Sequence, residues 1–209
     1  ITLSALLLFA MLIWLNKNDI AMKIDLNLQE GQSGDWKLSK FSVTEKDAKL
    51  FNLRCAINGY PQRGIQAGEY WKLTRGGTIV MSNTPAEILD HIKFIQEAQG
   101  KVLIAGLGLG MVLQEVLKKN TVTKVTVVEL SQDVISLVGK SYQDSRLEIV
   151  NEDIFKFKPL EHYDYAWFDI WDDISGDEYG QMKELSLKFR RYVSHSDCWC
   201  KKESRKRAW

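Results

Sequence analysis

Three glycines at alternate positions separate an apolar run from a helical pattern in the middle of the chain, and they restrict the fold more than any other feature. Residues 102–105 are all apolar, which is typical of a strand buried on both faces. Gly106, Gly108 and Gly110 follow, and a helical pattern begins at Met111. Such a turn lets the backbone bend tightly and lets a ligand approach without a Cβ in the way.

Strand and helix patterns continue to alternate after this turn. Apolar strand runs are predicted at residues 124–128, 147–150 and 163–170, and helices at 111–119, 132–138 and 178–193. Alternation at this spacing predicts an α/β fold with a doubly wound sheet of parallel strands. In such sheets ligands bind beyond the carboxyl ends of the strands, which is where the glycines lie.

Residues 22–83 have a different pattern and predict a small β-rich N-terminal unit. Residues 36–43 alternate apolar and polar side chains, as a half-buried strand does. Residues 69–73 and 78–82 are two further strand-like runs, and the glycines at 76 and 77 between them supply a tight turn. We therefore expect a β-hairpin unit in front of the larger domain.

A helix start marks the beginning of the larger domain, which we assign to residues 84–193. Thr84 is placed to cap the helix, Pro85 suits its first position, and Glu87 lies three residues after the cap. Ile88, Ile92 and related apolar residues recur at helical spacing, so one face of this helix is expected to pack inward.

Residues 1–21 form an apolar leader that we treat separately. Residues 1–15 are nearly all apolar, but a membrane span needs about 20 such residues. No basic segment precedes them and no small-residue cleavage site follows. We interpret the leader as upstream sequence or part of an anchor, with membrane attachment through residues 1–15 as the alternative.

Charge and cysteine content exclude several classes of protein. The formal net charge is +1, so no global field points to nucleic acid. Three cysteines are too few for a disulfide framework and fit a reducing, cytoplasmic compartment. His195, Cys198 and Cys200 lack a fourth ligand and the usual zinc-knuckle spacing, so we expect no metal site.

The glycine spacing separates three kinds of nucleotide loop. A dinucleotide fingerprint needs a glycine at position 111 or 113, where the chain has Met111 and Leu113. A phosphate-binding P-loop needs Gly-Lys-Ser/Thr at its end, and none is present. Gly-x-Gly-x-Gly instead resembles the first motif of class I S-adenosylmethionine-dependent methyltransferases. This resemblance implies a Rossmann-like methyltransferase sheet and S-adenosyl-L-methionine as the cofactor.

Two acidic residues at later strand ends agree with this resemblance. Glu129 ends the second strand, where a carboxylate can accept hydrogen bonds from both ribose hydroxyls. The resemblance implies that Asp153, after the third strand, contacts the adenine amino group, with Ile154 against the ring. The predicted cofactor-binding residues are Gly106, Leu107, Gly108, Gly110, Glu129, Leu130, Asp153, Ile154 and Asp169.

Residues 69–174 resemble the spermidine synthase-like branch of this superfamily, and also small methyltransferase-like proteins of phage and environmental genomes. In aminopropyltransferases a helix comparable to the one carrying Glu87, Asp90 and His91 contributes acidic and His residues to the active-site rim. Two departures stand out. Those enzymes carry an Asp within the glycine motif, which holds the amine of decarboxylated S-adenosylmethionine, where this chain has Leu109. A Pro-containing segment after the fourth strand is also missing.

The fourth strand ends in an acidic stretch that contains the predicted catalytic residues. Residues 161–178 carry seven carboxylates and no Lys or Arg, a composition that attracts amines and repels phosphate. Asp169 and Asp172 match the paired aspartates of the spermidine synthase-like branch. We expect Asp169 to position or deprotonate a nucleophilic amine and Trp171 to pack on the substrate or cofactor. A solvated acidic loop is the alternative for Asp172 and Asp173.

Residues 194–209 are predicted to be a basic tail. A nucleic-acid patch is one interpretation, but a solvated helix end followed by a disordered tail is favoured. The sheet then either stops after four strands or is completed by a partner, and an exposed sheet edge favours a homodimer.

The sequence thus predicts a small methyltransferase, a transferase that moves a methyl group from S-adenosylmethionine to a small-molecule, amine-bearing acceptor. A spermidine synthase-like aminopropyltransferase is the first alternative, supported by the acidic stretch and opposed by Leu109. A non-catalytic module that binds the cofactor or a nucleic acid is the second.

Overall fold

The computed structural model describes residues 23–208. The leader predicted at residues 1–21 lies outside the described residues. Within the described part, the chain forms a small antiparallel sheet followed by a larger parallel sheet with helices on both faces. The prediction of an α/β fold with a small β-rich N-terminal unit is confirmed.

The N-terminal sheet has four antiparallel strands in sequence order. They are β1 (Gly31–Ser33), β2 (Trp36–Val43), β3 (Gly68–Arg75) and β4 (Thr78–Ser82). The predicted hairpin is the β3–β4 pair, in which Arg75 lies opposite Thr78. Gly76 and Gly77 form its turn with φ values of 56° and 88°, which glycine adopts without strain.

Helix α1 (Glu45–Ile57) connects β2 to β3 and was not anticipated from the sequence. Thr44 caps it by accepting a hydrogen bond from the Asp47 N–H at 3.2 Å. Of its thirteen residues only Ala48 is buried. Because its apolar side chains do not gather on one buried face, the helix lacks the periodic pattern by which helices are recognised.

The larger sheet has five parallel strands in the order β7-β6-β5-β8-β9. They are β5 (Gly100–Ala105), β6 (Val122–Glu129), β7 (Leu147–Asn151), β8 (Tyr163–Phe168) and β9 (Val193–Cys198). The helices that accompany them are α2 (Pro85–Glu97), α3 (Met111–Leu117), α4 (Gln132–Val138), α5 (Gly176–Phe189) and α6 (Lys201–Arg207). None of the helices within residues 23–208 is long and apolar enough to cross a membrane.

Strand β9 and helix α6 fall where the sequence predicted a helix end and a basic tail. Helix α5 ends at Phe189 rather than residue 193, and β9 pairs with β8 along the edge of the sheet. Four of the six residues of β9 are exposed. A polar edge strand lacks the apolar run that marks the central strands, and for this reason its sequence resembles a tail.

Strand β5 lies at the centre and is buried on both faces. Val102 and Ile104 belong to a core shared with the N-terminal sheet and with α2, α3 and α4. Leu103 and Ala105 point to the opposite core, which α5 covers. Strand order reverses between β5 and β8, so a crevice opens beyond their carboxyl ends, the usual place for a ligand in such sheets.

Candidate active site

Gly106 fixes the loop after β5 against the chain that follows β8. Its φ of 91° lies in the region that favours glycine, and a Cβ there would overlap the carbonyl oxygen of Asp169. The Gly106 N–H donates to the Val128 carbonyl at 2.9 Å, and the Asp169 N–H donates to the Ala105 carbonyl at 2.9 Å. The loop is therefore held between the ends of three neighbouring strands.

The other two glycines of the motif pack against side chains. Gly108 lies under the thioether of Met81 from the N-terminal sheet, and Gly110 lies against the ring of Tyr142. The Tyr142 hydroxyl donates to the Leu109 carbonyl at 2.8 Å. The side chain of Leu109 is fully buried in the core, so the residue that replaces the family's Asp does not reach the crevice.

Glu129 ends β6 and is buried, at 8% exposure, directly beside the glycine loop. Its Oε2 accepts a hydrogen bond from the Leu107 N–H at 2.7 Å, and its Oε1 accepts one from the Ser131 N–H at 2.8 Å. Burial raises the pKa of Glu129, and these backbone N–H groups oppose that effect. Each carboxylate oxygen keeps a free lone pair, so the side chain can accept two further donors such as vicinal hydroxyls.

The end of β7 supplies the adjoining part of the crevice. Ile154 is 4% exposed, whereas Leu130, after β6, is 72% exposed. The Asp153 Oδ1 accepts a hydrogen bond from the Phe155 N–H at 2.9 Å. An apolar residue and a carboxylate thus lie side by side in the same part of the crevice as Glu129.

Asp169 follows β8 and is nearly buried, with 9% of its side chain exposed. Burial, together with the neighbouring carboxylates of Glu87 and Asp90, raises the pKa of Asp169 to about 8. The Nε2 of His91, on α2, lies 3.8 Å from the Asp169 Oδ2. Because burial lowers the pKa of His91 to about 4, this pair is not an ion pair near neutral pH.

Glu87 lies one helical turn before His91 and does not close the capping box that the sequence predicted. Thr84 is the cap residue of α2, but its side chain makes no capping hydrogen bond. The Glu87 carboxylate instead accepts hydrogen bonds from the Ser82 N–H at 2.8 Å and from the Ser82 hydroxyl at 2.9 Å. These bonds tie the start of α2 to the end of β4.

Asp172 lies at the mouth of the crevice, where an ion pair joins it to the N-terminal sheet. The Arg75 Nη2 contacts the Asp172 Oδ2, and both side chains are about half exposed. The Arg75 guanidinium also lies 5.2 Å from the centre of the Trp36 ring. Trp171 is 8% exposed and donates its Nε1–H to the Gln181 Oε1 at 2.8 Å.

These residues line a cavity of about 590 Å³ between the parallel sheet and the hairpin. Of the predicted site residues, Leu107 and Gly110 do not reach its wall, and the remaining ones do. Its carboxylates are those of Glu87, Glu129, Glu152, Asp153, Asp169 and Asp172, and its guanidinium is that of Arg75. Trp36, Arg75, Met81 and Trp199 were not anticipated in the wall.

Residues 84–196 match the spermine/spermidine synthase domain family. The match covers more than half of the chain and includes α2, the glycine loop, Glu129 and both aspartates after β8. The chain belongs to this family. The predicted resemblance is confirmed.

Curated relatives carry the same assignment. The chain is 38% identical over 116 residues to the polyamine aminopropyltransferase of Hydrogenobaculum sp., covering 51% of this chain and 40% of that protein. It is 36% identical over 99 residues to polyamine aminopropyltransferase 2 of Caldanaerobacter subterraneus subsp. tengcongensis, covering 43% and 33%. The chain therefore spans a third to two fifths of the length of these relatives.

Among solved structures, the spermidine synthase of Thermotoga maritima aligns with a TM-score of 0.42 and 22% identity, covering 77% of this chain and 51% of that one. A complex of DhpI with S-adenosylhomocysteine aligns with a TM-score of 0.43 and 18% identity, covering 54% and 55%.

The family match and the curated relatives overturn one prediction. Transfer of a methyl group, expected from the glycine motif and from Leu109, is wrong as the main interpretation, because the matched relatives are aminopropyltransferases.

Proposed function

We propose that this chain transfers an aminopropyl group from decarboxylated S-adenosylmethionine to an amine acceptor of the polyamine class. The observation that carries the proposal is the acidic cavity at the switch point of the sheet, in a chain of the spermine/spermidine synthase domain family. A cavity of about 590 Å³ is within the range of sites that enclose small molecules.

The nucleoside part of the donor fits the ends of β5, β6 and β7. Glu129 holds two lone pairs toward the cavity and would accept hydrogen bonds from the ribose hydroxyls. Ile154 and Leu130 offer apolar surface for the adenine ring, and Asp153 offers an acceptor for its amino group. Gly106 and Gly108 keep the loop free of side chains at the point of closest approach.

The charge of the cavity wall suits a polycationic pair of substrates. Both decarboxylated S-adenosylmethionine and a polyamine carry positive charge, and the wall is dominated by carboxylates. Leu109 provides no carboxylate for the donor's amine. The carboxylates of the cavity wall would therefore bind that amine instead. S-adenosylmethionine keeps an α-carboxylate, which would lie against the same acidic wall. Repulsion between these negative charges would weaken its binding.

The chemistry needs a neutral amine nucleophile aligned with the reacting carbon. The acceptor nitrogen attacks the propyl carbon bonded to the sulfonium sulfur, a C–N bond forms, and the C–S bond breaks. The electrons of the broken bond leave with sulfur as a neutral thioether. Asp169 would accept the proton that the amine loses, and a pKa of about 8 suits a base that works near neutral or mildly alkaline pH.

Product analysis tests this proposal. The chain is incubated with decarboxylated S-adenosylmethionine and 1,4-diaminobutane, and mass spectrometry measures the aminopropylated amine. We expect product from the wild type and a loss of about 10²- to 10⁴-fold in Asp169→Asn, the range for removal of a general base. Asp173→Asn, an exposed neighbour outside the cavity wall, is the matched control and should keep its activity.

Two results would refute the proposal. One is the absence of aminopropylated product from wild type that binds the donor. The other is a methylated amine formed from S-adenosylmethionine under the same conditions.

A further inference from the structure

Arg75 is a cation at the mouth of a cavity whose wall otherwise carries carboxylates. It ends β3 at the hairpin turn, and its guanidinium reaches across the cavity mouth to the Asp172 carboxylate. Trp36, which pairs with Arg75 across the strands, supports the guanidinium from below at 5.2 Å. The N-terminal sheet thus places a positive charge on the Asp172 carboxylate at the cavity mouth.

The ion pair between Arg75 and Asp172 can separate with little loss of free energy. The side chains are 52% exposed for Arg75 and 40% exposed for Asp172, and ion pairs at such exposed sites contribute little to stability. When Arg75 leaves Asp172, its half-exposed guanidinium remains in contact with water. An ammonium group that reaches Asp172 therefore competes with Arg75 on nearly equal terms.

We propose that Arg75 is a specificity-determining residue, which takes the place of the acceptor's second ammonium at Asp172 and so weakens the preference for diamines over monoamines. This inference rests on the proposed function, in which Asp169 takes the proton of the reacting amine, and it adds that the rest of the acceptor extends toward Asp172 at the cavity mouth.

The effect on specificity depends on whether the acceptor displaces Arg75 from Asp172. A diamine must displace Arg75 before its far ammonium can pair with Asp172, which reduces its net gain. A monoamine leaves Asp172 paired with Arg75, so no carboxylate is left unpaired beside it. Because specificity is a difference of two affinities, Arg75 lowers it from both sides.

Calorimetric titration with 1,4-diaminobutane and 1-aminobutane measures this directly, without turnover. Arg75→Met keeps an aliphatic side chain against Trp36 but removes the charge. Lys40→Met is the matched control, because Lys40 lies over the ring of Trp71 at 5.4 Å on the same sheet and outside the cavity wall. We expect Arg75→Met to bind the diamine roughly fivefold more tightly, the equivalent of one exposed ion pair. Binding of the monoamine should be unchanged or weaker, and Lys40→Met should match the wild type.

Weaker or unchanged diamine binding in Arg75→Met would overturn the inference, as would the absence of diamine binding to all three proteins. The outcome is separable from the proposed function. If the chain transfers aminopropyl groups but Arg75→Met leaves the preference for the diamine unchanged, only the inference about Arg75 is wrong. If Arg75→Met tightens diamine binding as expected but no aminopropyl transfer occurs, only the proposed function is wrong.

Discussion

The two walls of the cavity are built in different ways. The wall formed by the parallel sheet is held by hydrogen bonds from backbone N–H groups, such as those that the Glu129 carboxylate accepts from Leu107 and Ser131. The wall formed by the hairpin packs into the shared core through Trp71 and Leu73, but at the cavity mouth it meets the first wall through two half-exposed side chains, Arg75 and Asp172. The contacts that Glu129 makes are largely buried, whereas the ion pair at the cavity mouth is exposed and contributes little to stability.

This difference suits the two substrates of the proposed reaction, which have different demands. The nucleoside donor needs a rigid frame that sets the direction of its reacting carbon, because alignment supplies much of the rate in group transfer. Acceptor amines vary in length and charge, so a wall of adaptable side chains can accommodate them. We therefore expect substitutions in the sheet wall to affect folding and donor binding, and those in the hairpin wall to affect acceptor choice.

The largest effect is expected at Gly106. Gly106→Ala places a Cβ on the Asp169 carbonyl at a φ of 91°, which should lower the free energy of unfolding by about 3 kcal/mol or more. Gly77→Ala is the control, because its φ is 88° and nothing lies within 4 Å of the added Cβ. It should cost only the strain of the left-handed conformation, about 1–2 kcal/mol. Equal losses in urea denaturation would show that the sheet wall is not rigid.

Glu129 should show the next largest effect, on donor binding. Glu129→Gln replaces the proposed acceptor of both ribose hydroxyls by a side chain that accepts at one oxygen. Loss of a charged hydrogen bond corresponds to about 10- to 100-fold in affinity. Calorimetry with decarboxylated S-adenosylmethionine measures the change. Glu148→Gln, which removes an exposed carboxylate paired with Lys124 at 3.0 Å, should bind like the wild type. Equal affinity of all three proteins would exclude Glu129 from the site.

Asp169 should make the stability of the protein depend on pH. Its folded-state pKa of about 8 lies above the value of about 4 expected in the unfolded chain. Between these values the folded protein binds more protons than the unfolded chain, so the contribution of Asp169 to stability falls as pH rises and levels off above about 8. The slope is at most about 1.4 kcal/mol per pH unit.

Asp169→Asn lacks this group, so the wild type should lose stability relative to it from pH 5 to pH 8. Urea denaturation at several pH values measures the difference, with Asp173→Asn as a variant that should follow the wild type. A difference between wild type and Asp169→Asn that stays constant over this range would mean that Asp169 ionises normally.

The smallest effect is expected at Trp36. Trp36→Leu removes the ring that supports Arg75, a cation–π contact worth about 0.5–1 kcal/mol at an exposed site. Arg75 should then compete less well for Asp172, and 1,4-diaminobutane should bind about twofold more tightly. Combined with Arg75→Met, the substitution should add nothing further, since neighbouring residues that act through one contact are not additive. An equal gain in affinity for 1,4-diaminobutane in the wild type and in Arg75→Met would show that Trp36 does not act through Arg75.

The sheet wall was largely predictable from the sequence. Its strands are apolar runs, its loop is marked by glycines, and its polar residues follow strand ends, so local pattern places Gly106, Glu129 and Asp169 together. Strand order then brings the ends of β5 and β8 into contact, as the Asp169 N–H to Ala105 hydrogen bond shows.

The hairpin wall was not predictable in the same way. Arg75 and Asp172 are far apart in sequence and meet only through the packing of one sheet on another. Nothing in the local pattern of Trp36 or Met81 distinguishes a cavity residue from an ordinary strand residue. The secondary structure missed by the sequence has a similar origin, because α1 and β9 are mostly exposed and carry no apolar periodicity.

Competition between decarboxylated S-adenosylmethionine and S-adenosylmethionine for the cavity tests the central claim most directly. The two ligands share the nucleoside and the sulfonium and differ only by one carboxylate, which would face the acidic wall. The account predicts that the decarboxylated form binds at least tenfold more tightly in calorimetric displacement, a difference of about 1.4 kcal/mol. Equal binding, or preference for S-adenosylmethionine, would contradict it.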